Sequence, residues 1–178
     1  LNKAEQVTTN AQLELLQSKI NPHFLYNSLN SIAGLAHEDP DKVEKMAISL
    51  SKLFRYSIGT ASDNTASIKQ EVEIAKTYLD IEKIRFGDKL EYQINVTADE
   101  EIHIPRFLIQ PLVENAIKHG TSQVTGVGKI AIYVGMEDGI LSIVVEDNGP
   151  PLPENLVSGY GLQSTYDKLE ILFKDKFE

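Results

Sequence analysis

From about residue 8 to residue 37, apolar residues recur at helical intervals: Leu13, Leu16, Ile20, Phe24, Leu29, Ile32 and Leu35. They predict one long amphipathic helix. Pro22 falls inside it and predicts a local kink, because proline removes a hydrogen bond and presses on the carbonyl four residues back. Gly34 weakens the same helix. Asp39-Pro40 reads as the N-cap and first residue of a second helix, whose stripe is Val43, Met46, Ala47, Leu50, Leu53 and Phe54. The short connection between the two predicts an antiparallel hairpin. Gly59 to Asn64 is a polar loop. Ser67 and Gln70 then stand at capping-box spacing and open a third helix, with Val72, Ala75 and Leu79 on one stripe and an end near Phe86-Gly87.

Beyond residue 89 the period changes. Leu90, Tyr92, Ile94 and Val96 alternate with polar residues and predict a strand. Pro105 is placed to open a helix through Leu108, Leu112, Val113 and Ile117 that stops at Gly120. Ile130, Ile132 and Val134 alternate as a strand. Asp138-Gly139 is a hairpin signal, and Ile140 to Val145 is the returning strand. Asp147 to Tyr160 is a loop rich in Pro and Gly, and a last helix spans about Leu162 to Phe173. The fold class is therefore α+β: an all-helical part, a boundary near residues 59–66, and a mixed part after it.

Composition narrows the chemistry. Asp plus Glu number 26 against 17 Lys plus Arg, a formal charge of -9, which argues against nucleic acid or an anionic membrane as partner. A nucleotide site remains open, since it needs only one or two cations and some backbone N–H groups. The absence of Cys excludes disulfides, thiolate zinc sites and a Cys nucleophile. No apolar run approaches the roughly 20 residues of a bilayer span. The chain opens Leu-Asn-Lys without an initiator Met, which reads as a segment of a longer protein.

Three segments carry candidate chemistry. In Gln17-Ser-Lys-Ile-Asn-Pro-His-Phe-Leu-Tyr-Asn-Ser-Leu-Asn30, His23 follows a proline and Asn27 lies one turn later on the same face. An imidazole nitrogen can attack phosphorus, and a neighbouring polar side chain can fix its tautomer. The plainer reading is a surface His beside a kink. In Leu108-Ile-Gln-Pro-Leu-Val-Glu-Asn-Ala-Ile-Lys-His-Gly120, helical spacing puts Asn115, Lys118 and His119 on one face. An amide oxygen suits Mg²⁺ and a Lys meets phosphate as a point charge; the plainer reading is a solvated stripe. Val144-Val-Glu-Asp-Asn-Gly149 ends a strand in Asp147-x-Gly149, and Gly159-Tyr-Gly-Leu162 opens a helix. Asp147 can accept from an exocyclic amine such as adenine's. Gly149 permits a close backbone approach, and the later glycines leave N–H groups open to phosphate. Alone, each such glycine motif is usually a turn.

Taken in order, these segments resemble the N, G1 and G2 boxes of the GHKL ATP-binding superfamily in the form found in histidine kinases. The segment around His23 looks like the phosphoacceptor region of the LytS/YesM-type sensor histidine kinases. Ile84-Arg-Phe-Gly-Asp88 and Ile104-Pro-Arg-Phe-Leu-Ile-Gln-Pro-Leu-Val-Glu-Asn115 are similar to further segments of that family. The resemblance runs from about residue 12 to residue 173. It implies a dimerising, phosphotransferring helical hairpin over residues 1–64, forming a four-helix bundle in the homodimer. Over residues 65–178 it implies a GHKL-type α/β sandwich with a mixed, mainly antiparallel sheet that lacks its last strands. His23 matches the phosphorylated histidine, with Asn27 beside it. Asn115 matches the residue that holds Mg²⁺ against ATP, and Lys118 and His119 lie near the nucleotide. Asp147 and Gly149 match the adenine-recognising box, and Gly159 and Gly161 the phosphate-side glycines. The implied partner is a response-regulator receiver domain. The implied setting is the cytoplasmic part of a protein anchored in a bacterial inner or cytoplasmic membrane through an upstream segment.

Some positions depart from the family pattern. Pro151, next to Pro150, stands where a second G1 glycine is usual, and the stretch to Gly159 is a short lid. Both favour an alternative, a degenerate dimeric scaffold for the regulator that binds nucleotide weakly. A third class, an ATP hydrolase of the same superfamily, places a base four residues before the Asn, where this chain has Pro111; Glu114 is instead adjacent to Asn115. His37 near the end of the first helix reads as structural, and His103 as a loop residue.

Overall fold

A computed structural model describes residues 21–58, 65–151, 160–173 and 176–177. The chain falls into two compact units, Leu1–Ser62 and Asp63–Glu178. In the first, helix α1 (Pro22–Leu35) and helix α2 (Pro40–Ile58) pack on each other. Asn21 is extended at ψ 113 and caps α1, and Pro22 is the first helical residue. Proline suits that position because its missing N–H would have no partner there. The kink expected at Pro22 is therefore a helix start, since an extended residue cannot continue a helical run. Leu13, Leu16 and Ile20 lie outside the described residues. Asp39 behaves as expected of a cap, accepting from the Lys42 N–H at 3.1 Å. Phe24 and Ser28 are buried on α1, and Met46, Leu50, Leu53 and Ser57 on α2, the alternating three- and four-residue spacing of a packed helix seam.

The second unit opens with strand β1 (Thr65–Ser67) and helix α3 (Ile68–Phe86), followed by a 3₁₀ turn at Gly87–Lys89. Ser67 and Gln70 form the expected capping box. Gly87 ends α3 at φ 60, a conformation open to glycine at no steric cost. Strand β2 (Leu90–Val96), strand β3 (His103–Pro105) and helix α4 (Gln110–Asn115) follow. A π turn (Ala116–Gly120) and a 3₁₀ turn (Thr121–Gln123) continue α4. Strands β4 (Gly128–Glu137) and β5 (Ile140–Asp147) and helix α5 (Tyr160–Phe173) complete the order. The sheet runs β2-β4-β5, parallel in its first pair and antiparallel in its second; β1 and β3 form a separate antiparallel pair. The fold is thus mixed helix and sheet, as the change of period predicts. Asp138 and Gly139, both at positive φ, make the β4–β5 hairpin turn.

Two expectations fail between residues 103 and 110. Pro105 does not open a helix but ends β3, opposite Thr65, and His103 belongs to that strand rather than to a loop. Phe107 then takes φ 57, which no helix accommodates, so α4 begins only at Gln110 with Pro111 in its first turn. The core lies between one sheet face (Leu90, Ile130, Ile132 and Val134) and the helices, chiefly Ile74, Leu79 and Ile81 of α3 and Val113 of α4. Each such fully buried aliphatic side chain stabilises by about 1.5–3 kcal/mol. That packing holds α4 and its π turn beside the end of β5.

Candidate functional site

On α1, the Asn21 carboxamide oxygen accepts from the His23 N–H at 3.0 Å and the Phe24 N–H at 3.4 Å. The first-turn donors are satisfied by a neighbour, so the His23 ring is not needed for capping and stands exposed. Phe24 points into the hairpin, and Ser28 anchors the next turn by donating to the Phe24 carbonyl at 2.8 Å. Asn27 does lie one turn on, its Nδ2 at 3.3 Å from His23 Nδ1 and 3.2 Å from Nε2. The Asn27 amide thus lies within hydrogen-bond reach of the ring nitrogens and can orient the ring; which nitrogen accepts follows from the tautomer.

In the second unit, Asn115 closes α4 and the π turn carries Lys118 and His119. The expected common face presumed a regular α-helix. In a π turn the repeat exceeds 3.6 residues, so His119, not Lys118, lies nearer one full turn from Asn115. Accordingly Asn115 and His119 are half-buried and Lys118 is exposed. Glu114 accepts from Gln110 Nε2 at 2.8 Å; burial raises its carboxyl above the usual range, opposed by that bond. On α3 the buried Glu82 pairs with Arg85 at 2.7 and 2.9 Å. Burial nevertheless raises its carboxyl to about 6, because Arg85 offsets only part of the desolvation and Glu114 adds repulsion.

Asp147 ends β5 with its side chain exposed. Its Oδ1 accepts from the Gly149 N–H at 2.8 Å, closing a small side-chain turn. The intervening Asn148 is a main-chain lock: its Oδ1 accepts from the Lys129 N–H at 2.7 Å and its Nδ2 donates to the Val127 carbonyl at 3.0 Å. Gly120, at the end of the π turn, lies against the Asp147 carboxylate, and Gly149 against the Gly120 backbone. The structure therefore brings the end of the Asn115 segment to Asp147 and Gly149. Gly161 lies in the first turn of α5, while Gly159 and the stretch before it lie outside the described residues. His103 and His37 are both exposed, and only His103 has a ring contact among the described residues, at 3.0 Å from the Glu101 carbonyl.

Sequence reasoning missed three supports. Glu71, buried on α3, accepts from the N–H groups of Phe107, Leu108 and Ile109 at 2.7, 2.8 and 3.2 Å, and so ties down the loop that leads into α4. Nothing in its local pattern pointed 36 residues ahead, although a charged side chain inside a helix stripe was a signal. Asn148 stands at the variable position of Asp-x-Gly, which carries no signal of its own. Gly120 has the sequence signature of a helix stop and no more.

The Asp147 carboxylate lies at Gly120, and the half-buried Asn115 and exposed Lys118 stand on the segment that ends there. These groups are of the types that could meet a nucleotide. Among the described residues no group of three or more His, Cys, Asp or Glu could hold a metal ion. Mg²⁺ there would depend on Asn115 and on ligand phosphates, the usual economy for this ion.

The Histidine kinase family model matches residues 11–90. The sensor histidine kinase YpdA of Escherichia coli (strain K12) is 42% identical over 152 residues, 84% of this chain and 27% of that protein. The sensor histidine kinase BtsS of the same organism is 35% identical over 179 residues, 98% of this chain and 31% of that protein. The sensor protein LytS of Staphylococcus epidermidis (strain ATCC 35984) is 34% identical over 158 residues, 88% and 27% respectively. The chain belongs to the LytS-type sensor histidine kinases, and it spans under a third of the length of these relatives. Among the described residues no helix is long and apolar enough to cross a membrane.

Proposed function

We propose that this chain is the kinase core of a two-component sensor, moving the γ-phosphoryl group of ATP to His23 and then to an aspartate of a response-regulator receiver domain. The observation that carries the reading is the meeting of Gly120, Asp147 and Gly149, which leaves a carboxylate edge beside a turn without side chains. Asp147 Oδ2 makes no hydrogen bond among the described residues and accepts the adenine amine. Asn115 faces the triphosphate, the exposed Lys118 reaches it from the adjoining π turn, His119 flanks the nucleotide, and Gly159 and Gly161 pass along its phosphate side. Mg²⁺ at Asn115, when bound, neutralises phosphate charge.

The chemistry at His23 balances simply. A ring-nitrogen lone pair forms an N–P bond as the β–γ P–O bond breaks, and ADP departs with the bonding electrons. The other ring nitrogen loses its proton to solvent, and Asn27 orients the ring. An aspartate oxygen then takes the phosphoryl group and frees the imidazole. The two units act as a dimerising hairpin, residues 1–64, and a GHKL-type ATP-binding unit, residues 65–178. Exposed Tyr26, Leu29, Ile48 and Ile58 on the hairpin support a homodimeric four-helix bundle. The full-length protein is membrane-anchored through another segment, with this part in the cytoplasm.

Incubation with γ-labelled ATP and Mg²⁺ tests the reading. Acid-labile label is expected on the unaltered chain and none on His23→Gln, which still binds ATP. Label persisting on His23→Gln rejects the acceptor. A second reading, a scaffold with weak nucleotide binding, draws on the consecutive Pro150 and Pro151 after Gly149, which stiffen the loop and remove two donors; nucleotide bound without any label would favour it.

A further inference from the structure

Gly120 stands at φ -95 and ψ -88, so it does not stop the helix through a left-handed turn. Its side-chain space is also closed. A methyl group at position 120 would overlap the Asp147 carboxylate, with even Oδ2 only 2.7 Å away, and all three of its nearest neighbours are carboxylate atoms. The same turn is closely packed on Gly149, where a methyl would stand 2.5 Å from the Gly120 carbonyl oxygen. Asp147 cannot swing aside freely. Its Oδ1 is held by the Gly149 N–H at 2.8 Å, and the backbone on either side is fixed by β5 and by Asn148.

We propose that Gly120 is the positioning residue of the adenine site: the space left by its missing side chain is the space the Asp147 carboxylate occupies, so the π turn sets where that carboxylate points. This rests on the reading of Asp147 as the adenine acceptor. With Oδ1 tethered, the aim of Oδ2 follows from the contact with position 120. Any larger residue there rotates the carboxylate, breaks the tether, or both. The consequence is loss of base selectivity, not only of stability. Phosphate-side binding through Asn115 and Lys118 contributes equally to ATP and GTP, so it is not what distinguishes them.

The experiment is calorimetric titration of ATP and of GTP, each with Mg²⁺, into the full chain, Gly120→Ala, Asp147→Ala and the double variant, with melting temperatures for all four. Gly120→Ala is expected to lower ATP affinity roughly tenfold, the scale of one lost hydrogen bond to a charged group, and to erase the preference over GTP. In the Asp147→Ala background the same substitution is expected to change neither affinity nor melting temperature, since the atoms it would strike are gone. If Asp147→Ala loses the preference while Gly120→Ala keeps it, the proposal falls and the adenine reading stands. If Gly120→Ala weakens ATP equally in both backgrounds, it acts by some other route and the proposal falls. If the unaltered chain binds neither nucleotide, or Asp147→Ala keeps the preference, the adenine reading fails and takes the proposal with it. Should Gly120→Ala not fold, a folded double variant supports the shared volume and an unfolded one overturns it.

Discussion

Replacing Glu71 by Gln changes one buried carboxylate to an amide of the same shape. Glu71 is 1% exposed, so water cannot compensate for what is lost. The carboxylate accepts at 2.8 and 3.2 Å through Oε2 and at 2.7 Å through Oε1. A Gln can keep its oxygen towards Leu108 and Ile109, but it then presents an NH₂ to the Phe107 N–H. Two bonds lose charge assistance, about 1 kcal/mol each, and one donor is left without an acceptor, at about 1–3 kcal/mol. Phe107 can relax from φ 57 once released, returning about 1 kcal/mol of strain. The net loss is about 3 kcal/mol, or roughly 10 °C in melting temperature for a unit of this size. The assay is thermal unfolding followed by circular dichroism, beside Glu170→Gln as an exposed loss of the same charge. Hydrogen exchange at residues 107–109 should accelerate in Glu71→Gln alone. A shift no larger than that of Glu170→Gln, with unchanged exchange, would refute the claim that this carboxylate holds the entry to α4.

Ser67→Ala removes the acceptor of the Gln70 N–H, 3.2 Å from the hydroxyl, and should cost about 1 kcal/mol in urea unfolding; a loss below about 0.3 kcal/mol would count against the capping box as a stabilising device. Glu82 supplies a pH signature. Its folded carboxyl, at about 6, lies above the 4.5 of an ordinary glutamate, so the native state holds the extra proton between those values. Its stabilising contribution is thus full below pH 4.5 and lost as pH rises through 6, a swing of about 2 kcal/mol. The stability of the unaltered chain relative to Glu82→Gln should fall over that window in urea titrations; a pH-independent difference would contradict the assignment.

Helices α2 and α3 were legible because their signals are local. A cap, a proline at the first position and a stripe all lie within a few residues of one another, as at Ser67 and Asp39. The β4–β5 hairpin was legible for the same reason, through Asp138-Gly139. Strands β1 and β3 were not, since three residues are too few to display a period. Pro105 misled because proline at a strand end and proline at a helix start look alike until Phe107 shows where the backbone turns. Pro22 misled in the opposite sense: its apolar context continued past it while the backbone at Asn21 did not. The site residues stood out by chemical type and order. Their supports did not, because Glu71 and Gly120 act on partners 36 and 27 residues away, a separation no local pattern records.

The two candidate centres share a principle of construction. At each, an uncharged neighbour satisfies most of the nearby main-chain groups, so that the reactive group keeps a free edge. Asn21 takes the first N–H groups of α1, and His23 is not drawn into capping. Asn148 takes the donor and acceptor that remain where β5 leaves β4, and the Asp147 carboxylate spends only Oδ1, on the Gly149 N–H. Had the order been reversed, with Asp at position 148, its carboxylate could accept from Lys129 but offer nothing to the Val127 carbonyl. A side chain with both a donor and an acceptor is the one that closes this corner, and a charged one is better placed where a ligand can meet it. That division of labour explains why the residue between Asp147 and Gly149 is an amide: it holds the corner still while the carboxylate beside it stays exposed.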